Sequence, residues 1–264
     1  MAGLIVLKLG GSVITRKSEN RLEVNNSNLR RLCREIFEAK KKLKCNFIIV
    51  HGAGPFGHTF AEKYKLTEGF KGVNSVRGMC ETHASMEKLN SAVVEALNKA
   101  GLNAIALQPS AGGVLENRRL VSFPIEVVEG MIELGLTPVG YGDVLLDLKT
   151  GLNILSGDHL VPYLASELKA SRIVIATDVS GIFDSDPKKN KKAKLVKEIT
   201  RENVDRMEIS GSRGVDVTGG MKRKVMELLT VAGRGIPSQV VSGLKPGELK
   251  RALLGDKKLG TTIR

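Results

Sequence analysis

Short apolar runs punctuate the chain at Leu4–Leu9, Phe47–Val50, Ala104–Leu107, Arg172–Ala176 and Ile236–Val241. Mostly continuous runs, rather than strict alternation, are what strands buried on both faces of a sheet present. Between them the apolar period lengthens to that of a helix. From Val76 to Leu97, the residues Met79, His83, Met86, Val93 and Leu97 share one face, while Arg77, Glu81, Lys88 and Glu95 share another, as in an amphipathic helix packed on a core. Further helices are predicted at Asn28–Lys42, Ile125–Leu134, Asp158–Leu168 and Gly220–Ala232. The alternation predicts an α/β fold with a mainly parallel central sheet sandwiched by helices. Between Gly140 and Leu155 the rhythm changes to short strands broken by Gly142-Asp143 and Lys149-Thr150-Gly151. That reads as a β-hairpin region near a lobe boundary. With the boundary placed at Gly157, the chain divides into lobes 1–156 and 157–264 of a single domain, without flexible linker, repeat or low-complexity tract.

A length of 264 residues with 42% hydrophobic content is enough for one large core, and α/β folds of this size commonly form one continuous body. No apolar run approaches the ~20 residues that span a bilayer, so a soluble chain with no membrane partner is expected. The start, Met1-Ala2-Gly3-Leu4, runs directly into a strand pattern without a basic leader or cleavage site, which suggests a cytoplasmic location. Cys33, Cys45 and Cys80 are widely spaced and form no CxxC pair, so neither a disulfide framework nor a zinc site is implied. Subtracting 28 acidic from 41 basic residues leaves a formal charge of +13, which favours anionic partners: nucleic acid, acidic membrane or phosphorylated metabolites. The lysine runs at Lys40-Lys41-Lys42 and Lys188-Lys189 lack interleaved aromatic residues, and Trp is absent. They read as solvated faces rather than as a platform for nucleic acid.

Four glycine-rich segments follow or adjoin the predicted elements: Lys8-Leu9-Gly10-Gly11-Ser12, the stretch from His51 to His58, Ser156-Gly157-Asp158 and Thr218-Gly219-Gly220-Met221. In parallel α/β sheets, ligands gather beyond the carboxyl ends of strands, where glycines let backbone N–H groups approach phosphate oxygens. Any one loop could be an ordinary turn; four together point to one anionic site. Gly52, Gly54 and Gly57 also satisfy G-x-G-x-x-G after an apolar strand, which leaves a dinucleotide-binding oxidoreductase open. That reading needs an acidic residue closing the next strand ~20 residues on, and Glu68 has no strand leading to it. The Walker A pattern and the protein-kinase signatures are both missing from the sequence.

Taken with Thr177-Asp178-Val179-Ser180-Gly181 and Val217-Thr218-Gly219-Gly220-Met221, these segments resemble the amino acid kinase superfamily in order and spacing over nearly the whole chain. Within it, Gly54-Pro55-Phe56-Gly57-His58 and Asn153-Ile154-Leu155-Ser156-Gly157-Asp158 are similar to the isopentenyl phosphate kinase family. A fosfomycin-type kinase shares parts of the pattern and is the nearest rival. Ala53 is a departure, standing where many relatives have glycine. The resemblance implies the amino acid kinase fold, with lobe 1–156 holding an isoprenoid monophosphate acceptor and lobe 157–264 holding ATP. It implies Ala53, His58 and Gly157 as acceptor-binding residues. Lys8, Leu9, Gly10, Gly11, Ser12, Gly54, Asp178, Gly220 and Lys224 are implied for ATP. Lys8, Lys17, His58, Asp158 and Lys224 are implied as catalytic, Asp158 by orienting the lysines and loops. Arg16, adjacent to Lys17, leaves open which of the two faces the site. A homodimer is expected from the family and from the frequency of two-fold dimers.

The implied reaction, ATP-dependent phosphorylation of isopentenyl phosphate in isoprenoid biosynthesis by the mevalonate route, brings several negative charges together. Phosphoryl transfer needs positioning and charge stabilisation more than covalent help. Lysines provide mobile point charges, backbone amides fixed donors, and Mg²⁺ neutralises nucleotide oxygens. His58 can donate a hydrogen bond to a phosphate without acting as a base, because a phosphate monoester is largely dianionic near pH 7, its second pKa being ~6. His51, His83 and His159 are expected to be structural. Met79, Met86 and Val93, or Phe70 and Val73, are candidates for lining a pocket for the acceptor's apolar tail.

Overall fold

The structure, a computed structural model, describes residues 3–18, 21–185, 187, 190–204 and 220–264, with backbone alone at 17, 18, 21 and 220–223. The first 156 residues supply β1 (Gly3–Leu9), a one-turn helix α1 (Gly11–Ile14), β2 (Thr15–Ser18), β3 (Arg21–Val24), α2 (Asn26–Lys42), β4 (Cys45–His51) and α3 (Pro55–Lys63). They continue with α4 (Val73–Lys99), β5 (Ala104–Ala106), β6 (Val114–Glu116), β7 (Arg119–Ser122), α5 (Ile125–Glu133), β8 (Thr137–Tyr141), β9 (Asp143–Asp147) and β10 (Gly151–Leu155). Beyond them come α6 (Gly157–Glu167), β11 (Arg172–Thr177), β12 (Glu198–Ile199), α7 (Arg201–Val204), α8 (Gly220–Ala232), β13 (Ser238–Ser242), α9 (Glu248–Leu253) and β14 (Thr261–Ile263).

Among the described residues, eight strands form one sheet in the order β12-β14-β13-β11-β1-β4-β8-β5. β1 lies at its centre, parallel to β11 on one side and β4 on the other, with Leu7 between Val174 and Ile49. Successive side chains of a strand point to opposite faces, and here each face has its own helical layer. Ile5, Leu7 and Leu9 pack with Leu32, Ile36, Met86, Val93 and Leu253 from α2, α4 and α9. Val6 points the other way, into Leu160, Leu164, Val225 and Leu229 from α6 and α8. Lys8 continues the Val6 face at the end of β1. The register therefore aims a cation at the layer that begins with α6.

The five strands and five helices expected from the apolar pattern are present, with ends moved by up to three residues. β8 is additional: Thr137-Pro138-Val139-Gly140-Tyr141 is wholly buried and pairs with β4 and β5. Its Pro and Gly argue against a central strand, so Gly140 reads as a hairpin residue although it lies within a strand of the main sheet. The expected hairpin is β9–β10, antiparallel from Asp143↔Leu155 to Asp147↔Gly151. Asp147 holds its turn by accepting from the N–H groups of Lys149 (2.9 Å) and Thr150 (3.0 Å). Two further hairpins, β2–β3 and β6–β7, lack the usual Asn-Gly or Asp-Gly signal. In the second, Asn117 and Arg118 both adopt positive φ (48° and 67°), and Asp147 accepts from both of their N–H groups.

Candidate functional site

β11, β1 and β4 are adjacent and parallel, so their carboxyl ends lie side by side along one edge of the sheet. After each strand the chain turns sharply. Gly10 N–H donates to Ala176 O and Gly52 N–H donates to Leu9 O, each at 2.8 Å, which lashes the turns together. The first two turns pack backbone against backbone. A Cβ on Gly11 would sit 2.3 Å from Gly54 N, and one on Gly52 would sit 2.6 Å from Gly11 N. Gly54 has φ +52°, and its Cβ would meet Thr15 Oγ1 at 2.3 Å. Gly11 and Gly52 are required by contact, and Gly54 by contact and conformation together. α3 starts directly after Gly54 with Pro55 in its first turn, and α6 starts at Gly157 without a side-chain cap hydrogen bond. The amino ends of both helices, where unpaired N–H groups favour anions, border the same cleft.

That cleft has a volume of about 1130 Å³ and is lined from both halves of the chain. At its floor Lys8, only 8% exposed, donates a hydrogen bond from Nζ to Asp158 Oδ1 in the first turn of α6. Lys224 Nζ, from α8, lies 3.5 Å from the other oxygen, Oδ2. Burial lowers the pKa of Lys8, Asp158 opposes that shift and Lys224 adds to it. Burial would raise the pKa of Asp158, but the two lysines outweigh it and hold the carboxyl below the usual carboxylate range. With both lysines protonated, the triad carries a net positive charge on the cleft floor.

Lys8, Gly10, Gly11, Ser12, Ala53, Gly54, His58, Gly157, Asp158, Asp178 and Lys224 all line the cleft. Leu9 does not: its side chain is in the core, and its carbonyl serves Gly52. Gly220 begins α8 one turn before Lys224. Val217–Gly219 and the side chain of Lys17 lie outside the described residues. The backbone of Lys17 pairs with Leu22, while the neighbouring Arg16 is engaged with Glu23 at 2.9 Å across the hairpin.

His51 is fully buried. Its Nε2 is 3.2 Å from Asn90 Oδ1 and its Nδ1 3.2 Å from Gly52 O, and burial pushes its pKa down to about 4. A neutral ring donates to one of these only, beneath the second glycine turn. His159 pairs with Glu227 at 3.1 Å between α6 and α8. His83 stands in a polar cluster instead of packing as an apolar-face residue: its Nδ1 is 3.1 Å from both oxygens of Asp143, and its Nε2 is 3.1 Å from Gln108 Nε2. Asp143, Thr15, Thr82 and Ile154 border the cleft without having been expected there. Of the suggested tail-pocket residues, Met86 lines the cleft, Val93 is core, Met79 packs beside Leu66 and Val144, and Phe70 and Val73 are exposed. Among the described residues no three His, Cys, Asp or Glu side chains cluster as a cation cage.

The amino acid kinase family matches residues 3–242 of the chain. The isopentenyl phosphate kinase of Methanothermobacter thermautotrophicus is 38% identical over 98% of both chains. That of Methanocaldococcus jannaschii is 36% identical over 98% of both. A crystal structure of an isopentenyl phosphate kinase superposes with a TM-score of 0.86 at 35% identity, covering 98% of this chain and 100% of that one.

Proposed function

The chain belongs to the amino acid kinase family, and on that premise we propose that it transfers the terminal phosphoryl group of ATP to isopentenyl phosphate, giving isopentenyl diphosphate and ADP. One P–O bond to ADP breaks and one forms to an oxygen of the acceptor phosphate. The reaction involves no redox step. The dinucleotide-binding reading of Gly52, Gly54 and Gly57 falls with this premise; close packing against Gly11 and Thr15 accounts for the first two, and against Ala53 and Met86 for the third.

The observation that carries the proposal is the Lys8–Asp158–Lys224 triad on the floor of a cleft shared by both halves of the chain. β1 has the acceptor side of the sheet, β4 and α3, on one flank and the nucleotide side, β11 and β13, on the other. In this reading Lys8 reaches the group in flight, Lys224 the ATP phosphates, and Asp158 holds both ammonium groups in place. The amides of Gly10, Gly11, Ser12 and Gly54 are fixed donors to nucleotide phosphates, with Asp178 and Gly220 belonging to the same half-site. Ala53, His58 and Gly157 hold the acceptor phosphate. His58 supplies an N–H that a dianionic phosphate needs and a carboxylate acceptor does not. Lys17 is assigned a transition-state role on the resemblance alone.

Mg²⁺ usually keeps one or two carboxylates and substrate phosphates as ligands rather than an all-protein cage. The cleft lining includes Asp158 and Asp178, and an ion carried there by the nucleotide would neutralise phosphate oxygens. Residues 1–156 form the acceptor lobe and residues 157–264 the nucleotide lobe. We further read the protein as a cytoplasmic homodimer serving the mevalonate route. The free thiols of Cys33, Cys45 and Cys80 suit a reducing compartment.

A coupled ADP-release assay over isopentenyl phosphate, dimethylallyl phosphate, fosfomycin, acetylglutamate and UMP tests the acceptor. Isoprenoid phosphates are expected to lead. His58→Ala should raise KM for them and lower kcat while leaving KM for ATP nearly unchanged. Preference for an acceptor outside that class overturns the assignment.

A further inference from the structure

A four-residue helix has little stability of its own, because nucleation fixes several dihedrals for one hydrogen bond. α1 brings Gly11 and Ser12 to the edge of the cleft, so it must be held from outside. Within the turn, Val13 N–H donates to Gly10 O at 3.1 Å, and the Thr15 hydroxyl donates to Gly11 O at 2.7 Å. Val13 and Ile14 anchor the turn in the core, and further polar support comes from the start of α2. Asn25 N–H donates to Ile14 O at 2.8 Å, and Asn28 Nδ2 donates to Val13 O at 2.7 Å.

Asn28 also reaches further. The same Nδ2 donates to Gly243 O at 3.1 Å, in the turn after β13. Gly243 N–H in turn donates to Thr177 O at 2.7 Å, beside Asp178 at the end of β11. One side-chain amide therefore joins the segments that follow β1 and β13, and Gly243 N–H carries the link on to the end of β11 between them. Behind it Arg31 donates to Asn28 Oδ1 and to Gly243 O, both at 2.5 Å. By occupying Oδ1, Arg31 fixes which way the amide points and leaves Nδ2 for the two carbonyls. Arg31 is itself paired with buried Glu35, which accepts from Gly247 N–H (2.9 Å) and Lys250 N–H (3.1 Å) at the start of α9.

We propose that Asn28, oriented by Arg31, is a positioning residue for phosphoryl transfer, setting the distance between the Gly10–Ser12 amides and the Thr177–Asp178 turn. The inference rests on the kinase reading above. Asn28 is not among the residues lining the cleft, so it acts through the backbone it holds. Misplacement of reacting groups by about 1 Å can cost on the order of 10²-fold in rate, whereas binding spread over many amides and lysines tolerates such a shift.

Asn28→Asp keeps size and the contact with Arg31 but removes both donated hydrogen bonds. Its kcat with ATP and isopentenyl phosphate should fall roughly 10- to 100-fold, with both KM values within about threefold of the parent. Arg31→Met, which frees the amide to rotate, should show the same pattern with a smaller fall, and it decides the matter if Asn28→Asp does not fold. Asn98→Asp is the control, because Asn98 makes a similar side-chain staple to Ala104 far from the cleft and should lose only melting temperature. Parent kcat per folded molecule in both test variants, or a loss confined to KM, would overturn the proposal. If the parent itself ignores isopentenyl phosphate, the acceptor reading has failed instead, and the kcat and KM comparison is made with the acceptor the parent does use.

Discussion

Two lysines share one carboxylate at Asp158, and the balance among the three sets a pH dependence whose sign can be worked out. Burial and Lys224 both push protons off Lys8, and Asp158 is the largest influence keeping them on. Asp158→Asn should therefore lower the pKa of Lys8 further and move the alkaline limb of kcat to lower pH. An unshifted limb in the folded variant would show that Lys8 does not titrate in catalysis. The acid side has the opposite logic. The pKa of Asp158 is lower folded than unfolded, so its contribution to stability is present above its ordinary value of about 4 and is lost as pH falls through the folded value. The variant lacks that contribution and should lose less stability than the parent on acidification. Lys8 and Asp158 were legible in the sequence because each adjoins a glycine turn. Asp143 and Thr15 were not, because a buried acid and a turn-holding hydroxyl differ in no local pattern from surface residues. Leu9 was assigned to the nucleotide through its motif, although only its backbone carbonyl takes part in the turn.

The glycine turns act as packed elements rather than flexible loops. Gly11→Ala would drive a Cβ into the backbone of Gly54, which cannot swing aside as a side chain could. It should separate the turns after β1 and β4, lowering kcat/KM by roughly 10²-fold or more, along with stability. Gly130 provides the contrast: it lies inside α5 with open space where its Cβ would be. Gly130→Ala should raise stability by about 0.5–1 kcal/mol through helix propensity, with unchanged kinetics. Equal kinetic effects in the two variants would mean that the close approach at Gly11 has no functional weight. At this scale the sequence reading succeeded where a single period ran long enough, as in α2 and α4. It missed β8, whose Pro138 and Gly140 contradict its buried position. The β6–β7 turn was also hidden, because its left-handed residues, Asn117 and Arg118, are held by Asp147 from a strand distant in sequence.

For the whole molecule, alternating strands and helices predicted a mostly parallel sheet, but strand order cannot be read from periodicity. That order joins the halves: β1 from the first is paired along its length with β11 from the second. The helical layers are joined as well, since Val6 and Ile48 share a core with Leu160 and Val225. Chains this long often unfold in stages, yet here neither half retains a complete central sheet without the other. A single cooperative transition is therefore expected. The three tyrosines, Tyr64, Tyr141 and Tyr163, fall on both sides of residue 157, so near-ultraviolet circular dichroism samples both halves while the far-ultraviolet signal reports the backbone. The two melting curves should superimpose. ATP with Mg²⁺ should move them together, by about 2.7 kcal/mol at a hundred times Kd, even though residues 1–156 are assigned contacts with its phosphates only. A melt that separates into two steps, with only one displaced by ATP, would show that the lobes fold independently and that the shared sheet does not couple them.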